Sequence, residues 1–311
     1  MRVLIHIGST KTGSSAFQAY CDSQRDALGR LGVLYPSVGV VDGAHHLLAA
    51  ASHPTAHRMH ADFFEQQNKP REKLFFEMAS EIEAQAQQSG CHTLLLSSEY
   101  LWGVFPEEVY AAWRKAFAFA PIQVGALLRR PDNWVQSVYL QAVKNGQQQD
   151  FDTWYAQAKT VPRGGHDFYR VLRNWADITA EHEAHVLVYE DLVKTGRFCT
   201  SVLGSLCEQA SSSSALHEDN PTSNPSPDLE TLDLLLAVNR SDIPAETQKK
   251  LRNILMNRGS GRRAIGTDID LLPLKQRLLI LRDYIPSLEN IVRDFRTQKQ
   301  GKLFTFNIQR G

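Results

Sequence analysis

The chain has 311 residues, of which 42% are hydrophobic and 22% are charged, a composition typical of a globular protein and not of a disordered one. Its 34 basic and 34 acidic side chains balance, which argues against a protein that binds nucleic acid or an anionic membrane through overall charge. No apolar run approaches the roughly 18 residues that a membrane-spanning helix needs, and the N-terminus lacks the pattern of a secretory signal peptide. We expect a cytoplasmic protein with no transmembrane segment, no nucleic-acid partner and only a local anion site.

Four short apolar runs rich in branched residues predict buried strands. They cover residues 3–7, 93–97, 122–128 and 185–189. Stretches with helical spacing separate them, including an insert over 57–88, and this alternation predicts an α/β fold with a central parallel sheet flanked by helices. Functional residues in such sheets lie at the carboxyl ends of the strands, so the segments that follow the strands matter most.

The composition changes after the fourth predicted strand. Two segments rich in Ser, Asn and Pro, over 211–214 and 220–227, are typical of loops. Three stretches beyond them, 229–238, 245–256 and 274–296, have apolar residues at three- and four-residue spacing and predict helices. We expect a single domain over 1–311, with an α/β core over 1–200 and a mainly helical C-terminal part over 201–311.

The cysteines and histidines show no metal-binding pattern. Cys21, Cys91, Cys199 and Cys207 stand apart without a CxxC pair, which favours reduced thiols over a disulfide framework or a zinc site. The sequence also contains no HExxH motif and no carboxylate cluster with ligand spacing. No metal site is expected.

The first predicted strand runs directly into a segment rich in glycine and hydroxyl residues, Gly8-Ser9-Thr10-Lys11-Thr12-Gly13-Ser14-Ser15. A helical pattern follows, and this order is typical of a phosphate loop, in which backbone N–H groups, the helix dipole and Lys, Thr and Ser side chains bind an anion. The Walker pattern of ATP and GTP enzymes would place a lysine directly after Gly13, where this chain has Ser14. A polar strand-to-helix turn is the other interpretation of this segment.

The third predicted strand ends in Arg129-Arg130-Pro131, with Pro131 well placed to begin a helix. In that helix Ser137, Gln141 and Lys144 form one polar stripe at positions i, i+4 and i+7. A guanidinium at the strand end and the Ser137 hydroxyl can converge on one phosphate, since arginine offers a planar fork that matches it. A solvated basic turn explains the segment equally well when it is taken alone.

Together, these two segments resemble the PAPS-dependent sulfotransferases, whose cosubstrate is 3′-phosphoadenosine 5′-phosphosulfate. The family motif K-x-G-S/T-S/T is matched by Lys11-Thr12-Gly13-Ser14-Ser15, and the motif R-x-P-x-x-x-x-x-S is matched by Arg129, Pro131 and Ser137. Tyr189-Glu190-Asp191-Leu192, after the fourth strand, looks like a structural signature of the same family. The resemblance covers residues 1–200 and extends to the rest of the chain in outline, and the chain looks like a bacterial-type member of the family.

The resemblance implies a P-loop-like sulfotransferase fold and a nucleotide-binding core over 1–200. The first motif would bind the 5′-phosphosulfate, and Arg129 with Ser137 would bind the 3′-phosphate. Lys11 would stabilise negative charge on the leaving phosphate during in-line transfer of a sulfuryl group to a hydroxyl or amine of an acceptor. A basic loop completes the 3′-phosphate site in many members, and the candidate here is Arg258-Gly259-Ser260-Gly261-Arg262-Arg263, whose spacing matches poorly.

The transfer also needs a general base for the acceptor proton. Glu99 follows Ser97 and Ser98 at the end of the second strand, where it would point into the cleft. His45 and His46 lie in a Gly-rich loop and offer imidazoles whose ordinary pKa suits the task. The choice among these three residues stays open at this stage, whereas His6, inside the first strand, is interpreted as a core histidine.

Two other functions stay open. A P-loop kinase or other NTPase is disfavoured by the position of Lys11. A nucleotide-binding protein of the same fold without turnover is equally compatible with the motifs, because binding and catalytic residues overlap. The acceptor is expected to be a glycan, a lipid or another small molecule, and the sequence favours none of them and no oligomeric state.

Overall fold

A six-stranded sheet forms the centre of the fold in the computed structural model, which describes residues 1–53, 60–161, 165–207, 216, 222–223, 227–259, 263–264, 271–297 and 303–304. In spatial order its strands are β2 (Val33–Leu34), β3 (Thr93–Ser97), β1 (Arg2–His6), β4 (Ile122–Leu128), β5 (Ala184–Val188) and β8 (Arg296–Thr297). Every pairing between neighbours is parallel. The structure therefore confirms the predicted α/β class with a central parallel sheet.

Helices alternate with the strands along the chain. Between β1 and β3 lie α1 (Ser14–Ser23), α2 (Arg25–Arg30), α3 (His46–Ser52), α4 (Ala61–Gln66) and α5 (Arg71–Ser89). Between β3 and β5 lie α6 (Glu107–Ala116), α7 (Pro131–Lys144), α8 (Phe151–Ala158) and α9 (Phe168–Ala176). After β5 come α10 (Tyr189–Val193), α11 (Phe198–Leu206), α12 (Leu229–Arg240), α13 (Ala245–Gly259) and α14 (Leu274–Asp294). A separate antiparallel ribbon pairs β6 (Thr222–Ser223) with β7 (Arg263–Ala264).

Both faces of the sheet are buried. Successive side chains of a strand point to opposite faces, so Val3 and Ile5 of β1 belong to one apolar cluster and Leu4 belongs to the other. The first cluster includes side chains of α3, α5, α6, α7, α9, α12 and α14, and the second includes those of α1, α2, α10 and α11. Burial on both faces explains why the strands are near-continuous apolar runs in the sequence.

The four predicted strands are confirmed with small differences in their bounds. β3 and β4 have the predicted limits, whereas β1 and β5 begin and end one residue earlier. Tyr189 is the first residue of α10 and not the last of β5. The sequence pattern misses β2 and β8, because strands of two residues are too short to show a periodicity.

The described residues of the C-terminal part lie mainly in helices, as predicted. α12 and α13 extend slightly beyond the predicted ends, and α14 ends at Asp294 because Arg296 begins the edge strand β8. α14 packs against α7 and α9. The division between core and C-terminal part near residue 200 stays a prediction.

None of the helices in the described ranges is long and apolar enough to cross a membrane. The four cysteines are buried, free thiols. Among the residues that the structure describes, no group of three His, Cys, Asp or Glu side chains lies close enough together to hold a metal ion.

Candidate functional site

The candidate site lies at the carboxyl edge of the parallel sheet. The Gly8 to Gly13 loop follows β1, Glu99 follows β3 and Arg129 follows β4. Because the strands are parallel, these three segments meet at the same edge, which is where open α/β sheets bind ligands.

The loop after β1 has a left-handed backbone at three positions. Gly8, Lys11 and Gly13 have φ angles of 76°, 65° and 75°. Inside the loop, the Thr12 and Ser14 hydroxyls donate hydrogen bonds to the Ser9 carbonyl at 2.6 and 3.1 Å. These two buried hydroxyls therefore stabilise the shape of the loop.

The N-terminus of α1 lies at the end of this loop. Gly13 is the N-cap residue, and no side chain forms a capping hydrogen bond there. The first-turn N–H groups of a helix have no partner within the helix and carry the positive end of its dipole. The neighbouring Ser15 is exposed. This end of the loop has the donors that a phosphate or phosphosulfate group needs.

Side chains distant in sequence hold the loop backbone. Trp134 Nε1 donates to the Thr10 carbonyl at 2.8 Å, and Arg129 Nη1 donates to the Lys11 carbonyl at 2.9 Å. On the other side, a Cβ placed on Gly13 would lie 2.7 Å from the Phe198 ring. Only glycine fits this close approach in a left-handed conformation.

Arg129 and Ser137 meet as the sequence predicts. Arg129 Nη1 donates to Ser137 Oγ at 2.9 Å while also bonding the loop, and the guanidinium carbon lies 5.2 Å from the centre of the Tyr189 ring. Arg129 is only 6% exposed. This buried guanidinium is thus fixed beside the loop after β1 by several contacts.

The polar stripe of α7 faces the same loop. Lys11 Nζ donates to Gln141 Oε1 at 2.7 Å. Burial lowers the pKa of Lys11, the Glu99 carboxylate opposes this shift and the Arg129 guanidinium adds to it. Burial and the nearby Lys11 ammonium lower the pKa of Lys144 to about 8. The site therefore concentrates positive charge at one end of the sheet edge.

Glu99 lies directly against the loop after β1. A Cβ placed on Gly8 would lie 2.8 Å from Glu99 Cα. Gln18 of α1 donates from Nε2 to Glu99 Oε2 at 2.8 Å and to Ser97 Oγ at 3.2 Å. The carboxylate is therefore oriented by α1, the helix that begins at the loop.

His46 is the second polar group beside Glu99. Its Nε2 lies 3.7 Å from Glu99 Oε2, its Nδ1 is 2.8 Å from Ser98 Oγ, and its ring stacks on Tyr100 at 4.0 Å. Because the carboxylate only accepts hydrogen bonds, it favours the tautomer with the proton on Nε2. Burial lowers the pKa of His46, and Glu99 opposes that shift.

His45 makes a different set of contacts. The Ser97 backbone N–H donates to its Nδ1 at 3.2 Å, so Nε2 carries the proton and donates to the Pro36 carbonyl at 3.1 Å. Burial lowers its pKa to about 3. With both ring nitrogens bonded to backbone, His45 has a geometry that favours a structural role over that of a base. His6 is also fully buried, as expected for a core histidine, and lies 2.7 Å from Ser97 Oγ.

Two further segments were singled out in the sequence, Tyr189 to Leu192 and Arg258 to Arg263. Glu190 Oε1 accepts a hydrogen bond from the Arg130 backbone N–H at 2.8 Å, so the Tyr189 to Leu192 segment braces the turn after β4. The side chains of the basic segment from Arg258 to Arg263 lie outside the described residues. Its role in a 3′-phosphate site stays a prediction.

Three contacts of the site escape the sequence motifs, those of Gln18, Trp134 and Gln141. Gln18 is 1% exposed. The sequence could have indicated it, because it is a polar residue on the buried side of α1, one turn after Ser14. The sequence pattern predicts that Trp134 is a core aromatic residue, whereas in the structure its indole N–H also supports the loop. Gln141 is on the predicted stripe, but its partner Lys11 is 130 residues away and no local pattern points to it.

The comparisons with known proteins find a distant structural likeness and no match in sequence. No protein-family model matches the chain, and no curated protein matches it in sequence. Among solved structures, a sulfotransferase from Alicyclobacillus acidocaldarius aligns with 91% of this chain and 95% of its own length, at 12% sequence identity and a TM-score of 0.43. At this distance, function is inferred from the residues of the site.

Proposed function

We propose that this protein is a sulfotransferase that moves a sulfuryl group from PAPS to a hydroxyl or amine of an acceptor. One observation carries the proposal: Arg129 bonds both the Lys11 carbonyl and the Ser137 hydroxyl. A phosphate loop and a separate, buried guanidinium–hydroxyl pair are thereby held side by side. This arrangement suits a nucleotide with two phosphate-bearing positions, such as a 5′-phosphosulfate and a 3′-phosphate.

The donors fit the two ends of that nucleotide. The N–H groups at the start of α1 and the Lys11 ammonium would bind the 5′-phosphosulfate, and Arg129 with Ser137 would bind the 3′-phosphate. Ser14 stands where a Walker lysine would be and is bonded within the loop, which disfavours a kinase. Binding without turnover is distinguished from transfer by the second experiment below.

In this mechanism Lys11 stabilises the negative charge that builds on the leaving phosphate oxygen. The S–O bond to the phosphate breaks with its electron pair left on that oxygen, and a bond forms between sulfur and the acceptor oxygen or nitrogen. Glu99 takes the acceptor proton. Its position against Gly8, beside the loop that carries Lys11, favours it as the base over His45, whose two ring nitrogens are both bonded to the backbone.

His46 supports this choice as the group beside the carboxylate. With the proton on Nε2, it faces Glu99 Oε2 at 3.7 Å, and the stacked Tyr100 ring fixes its plane. His46 can thereby orient the carboxylate and stabilise its charge. The alternative, in which His46 itself takes the proton, predicts that Glu99→Gln keeps most of the turnover while His46→Ala loses it.

The first experiment tests the cosubstrate by thermal unfolding. 3′-Phosphoadenosine 5′-phosphate (PAP) at a hundredfold excess over its dissociation constant should stabilise the fold by about 2.7 kcal/mol. ADP, which lacks the 3′-phosphate, and ATP with magnesium should stabilise it much less at the same concentration. Equal protection by ATP would contradict the proposal and favour a kinase or NTPase.

The second experiment tests transfer. Sulfate transfer from labelled PAPS is measured against a panel of glycans, lipids, phenols and amines. We expect at least one acceptor to be labelled by the wild type and not by Lys11→Ala. Tight PAP binding with no labelled acceptor in a broad panel would favour the protein that binds the nucleotide without turnover.

A further inference from the structure

His6 is a buried imidazole that the proposed mechanism does not use. It is the last residue of β1 and pairs in register with Ser97, the last residue of β3. The residue is 0% exposed, its ring packs edge-to-face on Phe17 of α1 with centroids 5.2 Å apart, and its Nδ1 lies 2.7 Å from Ser97 Oγ. The imidazole is therefore fixed beside the strand end that leads into Glu99.

The Ser97 hydroxyl connects this imidazole to the proposed base. Gln18 Nε2 lies 2.8 Å from Glu99 Oε2 and 3.2 Å from Ser97 Oγ, so the amide nitrogen donates one hydrogen to the carboxylate and the other to the hydroxyl. Ser97 Oγ thus accepts from Gln18, and its own hydrogen can go to His6 Nδ1. The side chains form one connected series in the order His6, Ser97, Gln18 and Glu99.

This series determines where the proton of His6 lies. Burial lowers the pKa of His6 to about 3, so the ring is neutral and carries a single N–H. If that proton were on Nδ1, both the Ser97 hydroxyl hydrogen and the Nε2 lone pair would lack a partner among the described residues. With the proton on Nε2, only that N–H lacks one. Because each unpartnered buried polar group costs free energy, Nε2 carries the proton and Nδ1 accepts from Ser97.

We propose that His6 is a positioning residue for the base: it accepts the Ser97 hydrogen, which turns the hydroxyl lone pairs toward Gln18, and Gln18 in turn holds the Glu99 carboxylate. This inference rests on the proposed function, which makes Glu99 the base. His6 takes no proton in this role. The role explains why a polar side chain with an unpartnered N–H occupies a fully buried position at this edge of the sheet.

The first test measures kcat for sulfuryl transfer, with an acceptor identified by labelled PAPS. His6→Leu removes the accepting nitrogen and should lower kcat about tenfold, whereas the dissociation constant of PAP and the KM of the acceptor should change less than about threefold. His6→Asn, whose amide oxygen can take the place of Nδ1, should keep kcat within about threefold of the wild type.

A double-mutant cycle separates positioning from a general loss of stability. Gln18→Leu already breaks the last contact of the series, so adding His6→Leu to it should lower kcat by less than about twofold more. Independent effects would instead multiply. Ser97→Ala, combined with Gln18→Leu in the same way, provides a second cycle that does not depend on the folding of His6→Leu.

Thr179→Val is a matched control for Ser97→Ala. Thr179 is 6% exposed, its hydroxyl donates to the Ala176 carbonyl at 2.8 Å, and it precedes the amino end of β5, away from Glu99. Its substitution should lower the free energy of unfolding and leave kcat unaltered.

The tautomer of His6 is tested without turnover, by the nitrogen NMR chemical shifts of isotope-labelled histidine near neutral pH. His6→Asn identifies the His6 signals by their loss. We expect a protonated Nε2 and an unprotonated Nδ1. A proton on Nδ1, an unaltered kcat in folded His6→Leu or losses that multiply in both cycles would overturn the inference and leave the proposed function intact. A wild type that transfers no sulfuryl group would overturn both.

Discussion

The side-chain amide of Gln18 donates a hydrogen bond to Glu99 Oε2 at 2.8 Å. Since a carboxylate only accepts hydrogen bonds, the amide nitrogen must face it. Gln18 lies one turn after Ser14, at the start of the helix that the phosphate loop leads into. The same helix therefore begins at the proposed phosphate site and fixes the orientation of the proposed base.

We predict that Gln18→Leu lowers kcat by up to about 100-fold, because a small misplacement of the base is enough to reduce the rate to that extent. PAP affinity should stay within about threefold, and KM for the acceptor should change little. The assay uses an acceptor identified with labelled PAPS. Gln87→Leu, the same change on the exposed side of α5, is the control and should behave like the wild type. An unaltered kcat in folded Gln18→Leu would remove Gln18 from the mechanism.

The second prediction concerns the 3′-phosphate contacts. Arg129→Ala should weaken PAP binding by about 1.5 to 3 kcal/mol, the range for a charge-assisted contact, and Ser137→Ala by about 0.5 to 1.5 kcal/mol. Binding of ADP, measured beside PAP by calorimetry, should change less, because ADP has no 3′-phosphate. Arg173→Ala, which removes an exposed arginine paired with Asp177, is the control. Equal losses for PAP and ADP would show that Arg129 supports the loop and does not read the 3′-phosphate.

A third prediction concerns stability at the contact of α7 with α14. The Asp132 side chain is 1% exposed and forms ion pairs with Arg130 at 2.7 Å and Arg277 at 2.7 Å. Asp132→Asn should lower the free energy of unfolding by about 3 kcal/mol, because it leaves partly buried arginines without their carboxylate. Urea unfolding measures this loss. Asp177→Asn, in an exposed pair with Arg173, should lose less than about 1 kcal/mol, and similar values for the two variants would contradict the prediction.

The fourth prediction concerns the stability of the fold at acidic pH. Burial lowers the pKa of His6 and His45 to about 3, and burial also lowers the pKa of His53 and His166 to about 4. The unfolded chain binds a proton on each histidine near pH 6.5, whereas the folded chain keeps them neutral, so stability falls as the pH drops below 6.5. At pH 5 the loss is about 2 kcal/mol for each of His6 and His45, at 1.36 kcal/mol per pH unit.

Unfolding free energies measured between pH 7.5 and pH 5 check this prediction above the range in which carboxylates protonate. His182→Gln, which changes a histidine with a 63% exposed side chain, should leave the profile unaltered. A profile that stays flat down to pH 5 would mean that the buried histidines do not resist protonation.

The sequence predicts the parts of this fold that have a local signal. The strands that carry the site, including β1 and β4, are apolar runs, and the loop and the Arg129 turn follow directly from them. The stripe of Ser137 and Gln141 also follows from helical spacing, and the structure places it beside the loop. The edge strand β8 could not be predicted, since it depends on pairing with β5 over two residues.

The choice of base shows where local reasoning ends. In sequence, His45 and His46 are equivalent neighbours. In the fold, the backbone bonds both nitrogens of His45, whereas His46 turns toward Glu99. The difference comes from contacts with Pro36 and with residues that end β3, some 50 positions away in the chain. Which proton acceptor acts is therefore a tertiary property of the chain.

The anchoring of the loop carbonyls has a consequence for how the protein is made. Lys11 is bonded by a residue 118 positions later and Thr10 by one 124 positions later. While the ribosome is still producing the first third of the chain, neither anchor exists, and the loop has only the internal hydrogen bonds of the Thr12 and Ser14 hydroxyls. Both anchors of the loop form only once α7 has emerged and packed against the sheet. The nucleotide of the proposed function, by binding the anchored loop, would stabilise a contact between segments more than 100 residues apart and protect the folded chain as a whole against degradation.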